Sequence, residues 1–195
     1  LAARLTATRA ERAPALATAV VERLTELAMP AAQLEVRLEP RDAVATGEDR
    51  CELLLAPNPG VPAAPVRESA SGGELSRVML ALLAVVGSDG AGAARTQVFD
   101  EIDSGVGGQT GRAVGEQLRS LGQAGQVLCI THLPQIAALA DRNFAIEKDT
   151  TVEPARTVVR RLKDREVVGE LVRMLGAEEG DKGALRHAKE LRSAA

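Results

Sequence analysis

Apolar residues change their spacing several times along this chain, and each change marks an element. From Leu1 to about Ala28 the apolar positions Leu16, Val20, Leu24 and Leu27 recur at helical spacing. Pro14 interrupts that pattern and predicts a kink or a break. Leu34, Val36 and Leu38 alternate with Glu35, Arg37 and Glu39, the pattern of a half-buried strand. Leu53-Leu54-Leu55 reads as a second strand, with Asp42 to Asp49 as the hairpin loop between them. Pro57, Pro59, Gly60, Pro62 and Pro65 then make an irregular connection.

From Ser71 the period becomes helical again. Leu75, Val78, Met79, Leu82, Leu83 and Val86 fall on one face, and Gly87 to Gly92 ends the helix. A short strand reaches Phe99, and a helix begins near Gly108 with Val114, Leu118 and Leu121 inward. Val127 to Ile130 is an unbroken apolar run, typical of a strand buried on both faces. A short helix spans Leu133 to Leu139, strands cover Asn143–Lys148 and Thr157–Lys163, and helices around Val167–Leu175 and Lys182–Leu191 finish the chain. Strand, helix, strand, helix after residue 95 implies parallel pairing through helical crossovers, so the fold class is α/β. Such sheets bind ligands beyond the carboxyl ends of their strands. Asp100-Glu101 and Thr131-His132 both lie there, each just after an apolar strand.

Composition narrows the function. With 195 residues and 45% hydrophobic content the chain can bury a core, but with no Trp or Tyr and only two Phe that core is aliphatic. A net charge of −3 argues against a nucleic-acid binder that works by bulk positive charge. The one dense basic stretch, Arg156, Arg160, Arg161, Lys163 and Arg165, reads as a solvated strand-and-turn surface, with a DNA-facing patch as the minor alternative. Cys129 sits in an apolar run and reads as a core residue; with Cys51 it makes neither a disulfide framework nor a zinc site. No apolar run approaches a membrane span and no signal peptide opens the chain, so a reducing cytoplasm is expected. The chain begins on Leu1 and not Met, as a fragment would.

Three stretches carry candidate chemistry. Ser71 followed by Glu74 is a capping box, a structural feature of no special function. The same helix start has free amides, a positive dipole end, a hydroxyl and Gly72-Gly73, which together suit an anion. Two glycines in a first turn cost about 1 kcal/mol each in helix propensity, and phosphate access is a reason to keep them. Asp100-Glu101, read alone, is equally a solvated loop. Read functionally, Asp100 holds a Mg²⁺ shell and Glu101 polarises an attacking water as general base. Asp103 is either a third carboxylate or part of a turn. Thr131-His132 places an imidazole at a strand end, where it is either a satisfied structural residue or a donor or water-positioning group beside a phosphate. His187, in the last helix, reads as surface.

Together, Ser71 to Leu75, Val98 to Asp103 and Thr131-His132 resemble the signature, Walker B and switch-histidine stretches of ABC-type ATPases. In finer detail, Ser71–Leu82, Phe99–Gly108, Thr131–Ala137, Asn58-Pro59-Gly60 and His187–Leu191 are similar to the RecN family of bacterial DNA repair ATPases, which resembles the structural-maintenance-of-chromosomes (SMC) proteins. The similarity runs from residue 30 onward. Gln97 departs from it, standing in the Walker B strand where an apolar residue is usual. The resemblance implies the C-terminal lobe of an ABC-type P-loop ATPase head, a mostly parallel sheet with flanking helices, over residues 30–195. Residues 1–29 would be the end of a coiled-coil arm. It implies ATP and Mg²⁺ as cofactors, with Asp100 on the metal through water. Glu101 and His132 would be catalytic, Ser71, Gly72, Gly73 and Glu74 would meet ATP in trans, and Asp103 and Ser104 would form the D-loop. The implied partners are an N-terminal lobe of the same protein carrying the phosphate-binding loop, a second head across the nucleotide, and DNA; the implied role is recombinational double-strand break repair in the nucleoid. Two other readings remain: a metal-dependent phosphatase or nuclease built on Asp100, Glu101 and Asp103, and a non-catalytic coiled-coil scaffold.

Overall fold

The computed structural model describes residues 1–87, 96–150, 153, 155–178 and 180–194. Helix α1 (Ala2–Glu26) runs through Pro14 without the break that was one of the two outcomes expected there. A proline removes one backbone donor, and packing of the flanking turns carries the helix past it. The second half of α1 drives Val20 and Leu24 fully into the core. The first half lies on the hairpin of β1 (Gln33–Val44) and β2 (Gly47–Ala56), where Thr6 and Arg9 both donate to the Asp49 carboxylate. The expected loop over 42–49 is therefore mostly strand: only Ala45 and Thr46 form the turn, and Val44 pairs with Gly47. The charged residues that suggested a loop are there because this end of the ribbon faces solvent and α1.

The proline-rich connection holds a two-residue strand β3 (Ala64–Pro65) against β2 and a single turn α2 (Val66–Ser69). Helix α3 (Gly72–Gly87) follows. The rest of the stretch expected to end it, from residue 88, lies outside the described residues. Strand β4 (Thr96–Phe99), helix α4 (Gly108–Ala124) and strand β5 (Gln126–Cys129) make the expected parallel pair with a helical crossover. After a turn of helix α5 (Pro134–Ala137), β6 (Phe144–Asp149) and β7 (Arg156–Arg161) form a separate antiparallel ribbon. Helices α6 (Asp164–Met174) and α7 (Lys182–Ser193) close the chain.

The main core joins α1, the β1–β2 hairpin, α3, α4 and one face of the β4–β5 pair. A second cluster gathers α5, β6, α6 and α7. Arg192 of α7 donates to the Ala138 and Ala140 carbonyls at 2.7 and 2.8 Å, fastening the last helix behind α5.

Two burial expectations hold only in part: in α3, Val78 is buried and Leu82 and Leu83 pack against the core as expected. In α3 the inward residues are Gly73, Arg77, Val78, Leu80 and Ala81, while Leu75, Met79 and Val86 are exposed. The helix is apolar nearly all round, so spacing alone does not single out one inward face. Val127 to Ile130 is covered on one face only: Val127 and Cys129 pack on the core, whereas Leu128 and Ile130 are exposed together with Val98. These residues make apolar surface that this chain, among its described residues, leaves uncovered.

Candidate functional site

The start of α3, the loop after β4 and the loop after β5 meet at one end of the parallel pair. Ser71 and Glu74 form the reciprocal cap: the Ser71 amide donates to Glu74 Oε2 at 2.8 Å, and the Glu74 amide reaches Ser71 Oγ at 3.4 Å. One turn on, Ser76 Oγ donates to the Asp100 carbonyl at 3.0 Å, and Arg77 Nη1 donates to the Ser104 carbonyl at 2.8 Å. Arg77 is buried, which depresses its guanidinium pKa, an effect partly offset by Glu74; its Nε has no hydrogen-bond partner. That tether is strong because a guanidinium buried here has few other ways to be satisfied.

The two glycines serve the site differently from each other. A β-carbon on Gly73 would lie 2.8 Å from Ser104 Cβ, 3.0 Å from the Glu101 carbonyl oxygen and 3.1 Å from that of Ser104. Gly73 is thus where α3 touches the backbone of the 101–104 loop. On Gly72 the β-carbon would meet only the Glu101 carboxylate, with Oε2 at 2.7 Å. The catalytic candidate Glu101 therefore rests its carboxylate against Gly72. Sequence reasoning explained both glycines by phosphate approach alone and missed this packing. Its signal was present in the pairing of two small residues with a helix face that had to lie against a loop.

Glu101 itself has φ +56, a left-handed backbone conformation that disfavours a side chain. Asp100 Oδ1 caps the Glu101 amide at 3.0 Å and helps hold that turn. Both carboxylates are exposed at the strand end. A single exposed carboxylate suits Mg²⁺, which keeps most of its water shell, so Asp100 fits that ion.

Of the two sequence readings of Asp103, its surroundings favour part of a turn. It is 4% exposed, and its Oδ2 accepts from the Thr131 hydroxyl at 2.6 Å and the His132 amide at 2.8 Å, with His132 Nδ1 lying 3.0 Å away. Among the described residues no group of three His, Cys, Asp or Glu side chains gathers as a metal site. Burial, with Asp103 and Asp100 nearby, pushes the Cys129 thiol up to about 12, as expected of an inert core cysteine. His187 is half exposed on α7, far from these loops in the sequence and paired at 3.8 Å with Glu190. The basic stretch lies on the exposed β7 and the start of α6, where Lys163 is the N-cap and Arg160 pairs with Glu147 and Glu166. Among the described residues no helix is long and apolar enough to cross a membrane.

No family model matches the chain. It is 43% identical over 204 residues to the DNA repair protein RecN of Streptomyces coelicolor, covering 98% of this chain and 35% of that protein. To the DNA repair protein RecN of Deinococcus radiodurans it is 42% identical over 190 residues, 96% of this chain and 32% of the relative. The chain thus spans about a third of the length of the curated relatives it matches. Among solved structures it resembles the Smc head domain of Pyrococcus yayanosii, with its coiled coil and joint, at TM-score 0.59 and 21% identity, covering 84% of this chain and 29% of the other. It also resembles the Smc head domain of Pyrococcus furiosus bound to the C-terminal domain of ScpA, at TM-score 0.55 and 22% identity, covering 85% of this chain and 39% of the other. These likenesses give the fold: the α/β architecture of Smc head domains.

Proposed function

The chain belongs with the RecN DNA repair proteins, matching their C-terminal part over nearly its whole length, and from that premise we propose that it is the C-terminal lobe of an ATPase head that hydrolyses ATP between two heads during recombinational repair of DNA double-strand breaks. The observation that carries this reading is the single hydrogen-bonded unit formed by three loops. Ser76 and Arg77 bind the Asp100–Ser104 loop to the signature helix, and Asp103 binds that loop to Thr131-His132. A merely solvated set of loop charges would have no reason to be joined so closely.

In this reading the residues divide between two nucleotides. Glu101 and His132 face the ATP held by the lobe's own head; Glu101 takes the proton of the attacking water as general base. Ser71 and the amides of Gly72, Gly73 and Glu74 close over the γ-phosphate of the opposite head, using the anion-binding start of α3. Asp103 and Ser104 form the D-loop between them. Asp100 would hold Mg²⁺ through water, and the ion supplies charge compensation for the phosphate oxygens. Phosphoryl transfer depends mostly on positioning and charge stabilisation, so dividing the site between subunits makes head closure the switch.

The phosphate-binding loop is assigned to an N-terminal lobe of the same protein. That lobe is also the natural cover for Leu75, Met79, Val98, Leu128 and Ile130. Residues 1–29 are assigned to the end of the coiled-coil arm joining the lobes, and the compartment to the cytoplasm, at the nucleoid. The phosphatase or nuclease alternative needs Asp103 as a ligand, and Asp103 is buried and already engaged. Reassembly tests the proposal: this chain mixed with the N-terminal lobe should hydrolyse ATP and dimerise with it, while the chain alone should bind ATP poorly. Calorimetry giving micromolar ATP affinity for the chain alone would sink the split-head reading.

A further inference from the structure

Helix α7 carries its charge on one side. At about 100° per residue, Ala184, Ala188 and Leu191 share the face that packs into the second core cluster. Lys182, Arg186 and Lys189 fall on the opposite face, and all three are exposed. Four cations and one carboxylate give this helix a net +3, in a chain whose net charge is −3. The fourth cation, Arg192, is turned to α5, where it holds the Ala138 and Ala140 carbonyls. Acids close in the sequence do not neutralise the outer face. Asp181 is committed to the N-cap, accepting from the Gly183 and Ala184 amides at 2.8 and 3.0 Å. Glu190 stands at the rim, 3.8 Å from both Arg186 and His187. Lys182 and Lys189 have no ion-pair partner among the described residues. With Ala188 fully buried behind them, these cationic positions stand on a fixed backbone.

The outer face of a surface helix is ordinarily a solvated mixture of both signs. This one is of a single sign, and with Leu185, Glu190 and Ser193 the three cations line a shallow groove. We propose that the outer face of α7 is a contact site for the phosphate backbone of duplex DNA, with Lys182, Arg186 and Lys189 each meeting a phosphate. At a rise of 1.5 Å per residue the three positions span about 10 Å. A duplex carries one charge per about 1.7 Å of its axis, so several phosphates lie within that reach. An acidic protein partner fits less well, because such interfaces are anchored by buried aromatic or aliphatic side chains and this face offers only Leu185 at its edge. The basic stretch on β7 fits less well too, since Arg160 is already paired with Glu147 and Glu166. Contacts of this kind hold and orient a duplex without reading its sequence. The inference rests on the repair reading above for DNA as the polyanion.

Fluorescence anisotropy of a labelled duplex tests it, read without nucleotide on the head completed by the N-terminal lobe, at 50 to 200 mM salt. Each phosphate contact contributes about −0.9 to the slope of log K against log salt, so this face should supply about −2.7, or about 40-fold in affinity across that range. Lys182→Gln, Arg186→Gln and Lys189→Gln together should make the slope shallower by that amount and weaken binding at 50 mM salt by at least about ten-fold. Lys182→Arg with Lys189→Arg keeps the charge and should keep both affinity and slope, which separates lost phosphate contacts from a disturbed helix. Neutralising Arg156, Arg161 and Arg165 on β7 and α6 should change the slope by less than half as much. Affinity and slope that survive the α7 triple substitution overturn the proposal, as does a head that binds no duplex at 50 mM salt. Polyglutamate that competes as well as duplex at equal charge would make the partner an acidic protein and also overturn it. ATP turnover without DNA should be unchanged by the triple substitution. If the unsubstituted head fails to hydrolyse ATP, the ATPase reading falls instead, and the anisotropy still decides whether α7 meets DNA.

Discussion

Replacing Gly73 with Ala tests the account of the signature loop by the sign of its effect on stability. If Gly73 served only to let phosphate approach, alanine would stabilise the folded chain by up to about 1 kcal/mol through helix propensity. The packing says otherwise. The new methyl would stand 2.8 Å from Ser104 Cβ and about as close to two carbonyl oxygens. Carbon atoms prefer roughly 3.5–4 Å, so the overlap is near 1 Å. Two of the three neighbours are backbone, and the loop they belong to is tied by Arg77 and Asp103, so it cannot simply step aside. Overpacking of this kind costs about 1–3 kcal/mol, which outweighs the propensity gain and leaves a net loss of about 1 kcal/mol. With a urea m-value of about 2–3 kcal/mol/M, the unfolding midpoint should fall by roughly 0.3–0.5 M. Gly72→Ala is the internal control. Its methyl meets only the far end of the Glu101 side chain, which can swing away, so its midpoint should hold or rise. A Gly73→Ala midpoint that rises, or that matches Gly72→Ala, would refute the packing argument.

Further outcomes follow from the proposed division of the site between two heads. In the completed head, Glu101→Gln should bind ATP, form a long-lived dimer on sizing chromatography and hydrolyse about 10²–10⁴ times more slowly. Asp100→Asn should lose Mg²⁺-dependent nucleotide binding as well as turnover, and identical phenotypes would contradict the separate roles. Ser71→Arg should leave nucleotide binding to one head nearly intact and abolish the ATP-dependent dimer; a dimer that persists would make Ser71 a helix cap and nothing more. Asp49 is held below the usual carboxylate range by the Thr6 hydroxyl and then by Arg9, against the opposing effect of burial. A depressed carboxylate stabilises the fold above its unfolded value, near pH 4, and loses that contribution as pH falls through its folded value. The stability gap between the unsubstituted chain and Asp49→Asn should therefore be constant above about pH 5 and close toward pH 2.

The site was more legible in the sequence than its supports. Ser71, Glu74, Asp100, Glu101 and His132 stand out because their chemistry is unusual for the ends of apolar segments. The alternation of β1 and the apolar run of β5 were read in the same direct way. What failed was any inference that needed to know the neighbour. The inward face of α3 was placed only in part, because Leu75 and Met79 are as apolar as Val78 and Leu80, and only contact with α1 and α4 separates them. Asp49 was read as loop because a buried carboxylate leaves no mark in the sequence until Thr6 and Arg9, some forty residues away, are brought beside it. Asp103 was ambiguous for the same reason: its donors, the Thr131 hydroxyl and the His132 amide, lie beyond the next helix.

The left-handed backbone at Glu101 separates what this lobe does best from what it tolerates best. Glycine has no side chain to crowd that conformation, and asparagine adopts it more readily than glutamate. A library of the lobe selected only for survival at high temperature should therefore drift to Gly or Asn at position 101. Selection for ATP turnover in the completed head should hold Glu there. Sequencing the two pools would read the tension directly, as divergence at one codon: thermal selection would discard the residue that activity retains.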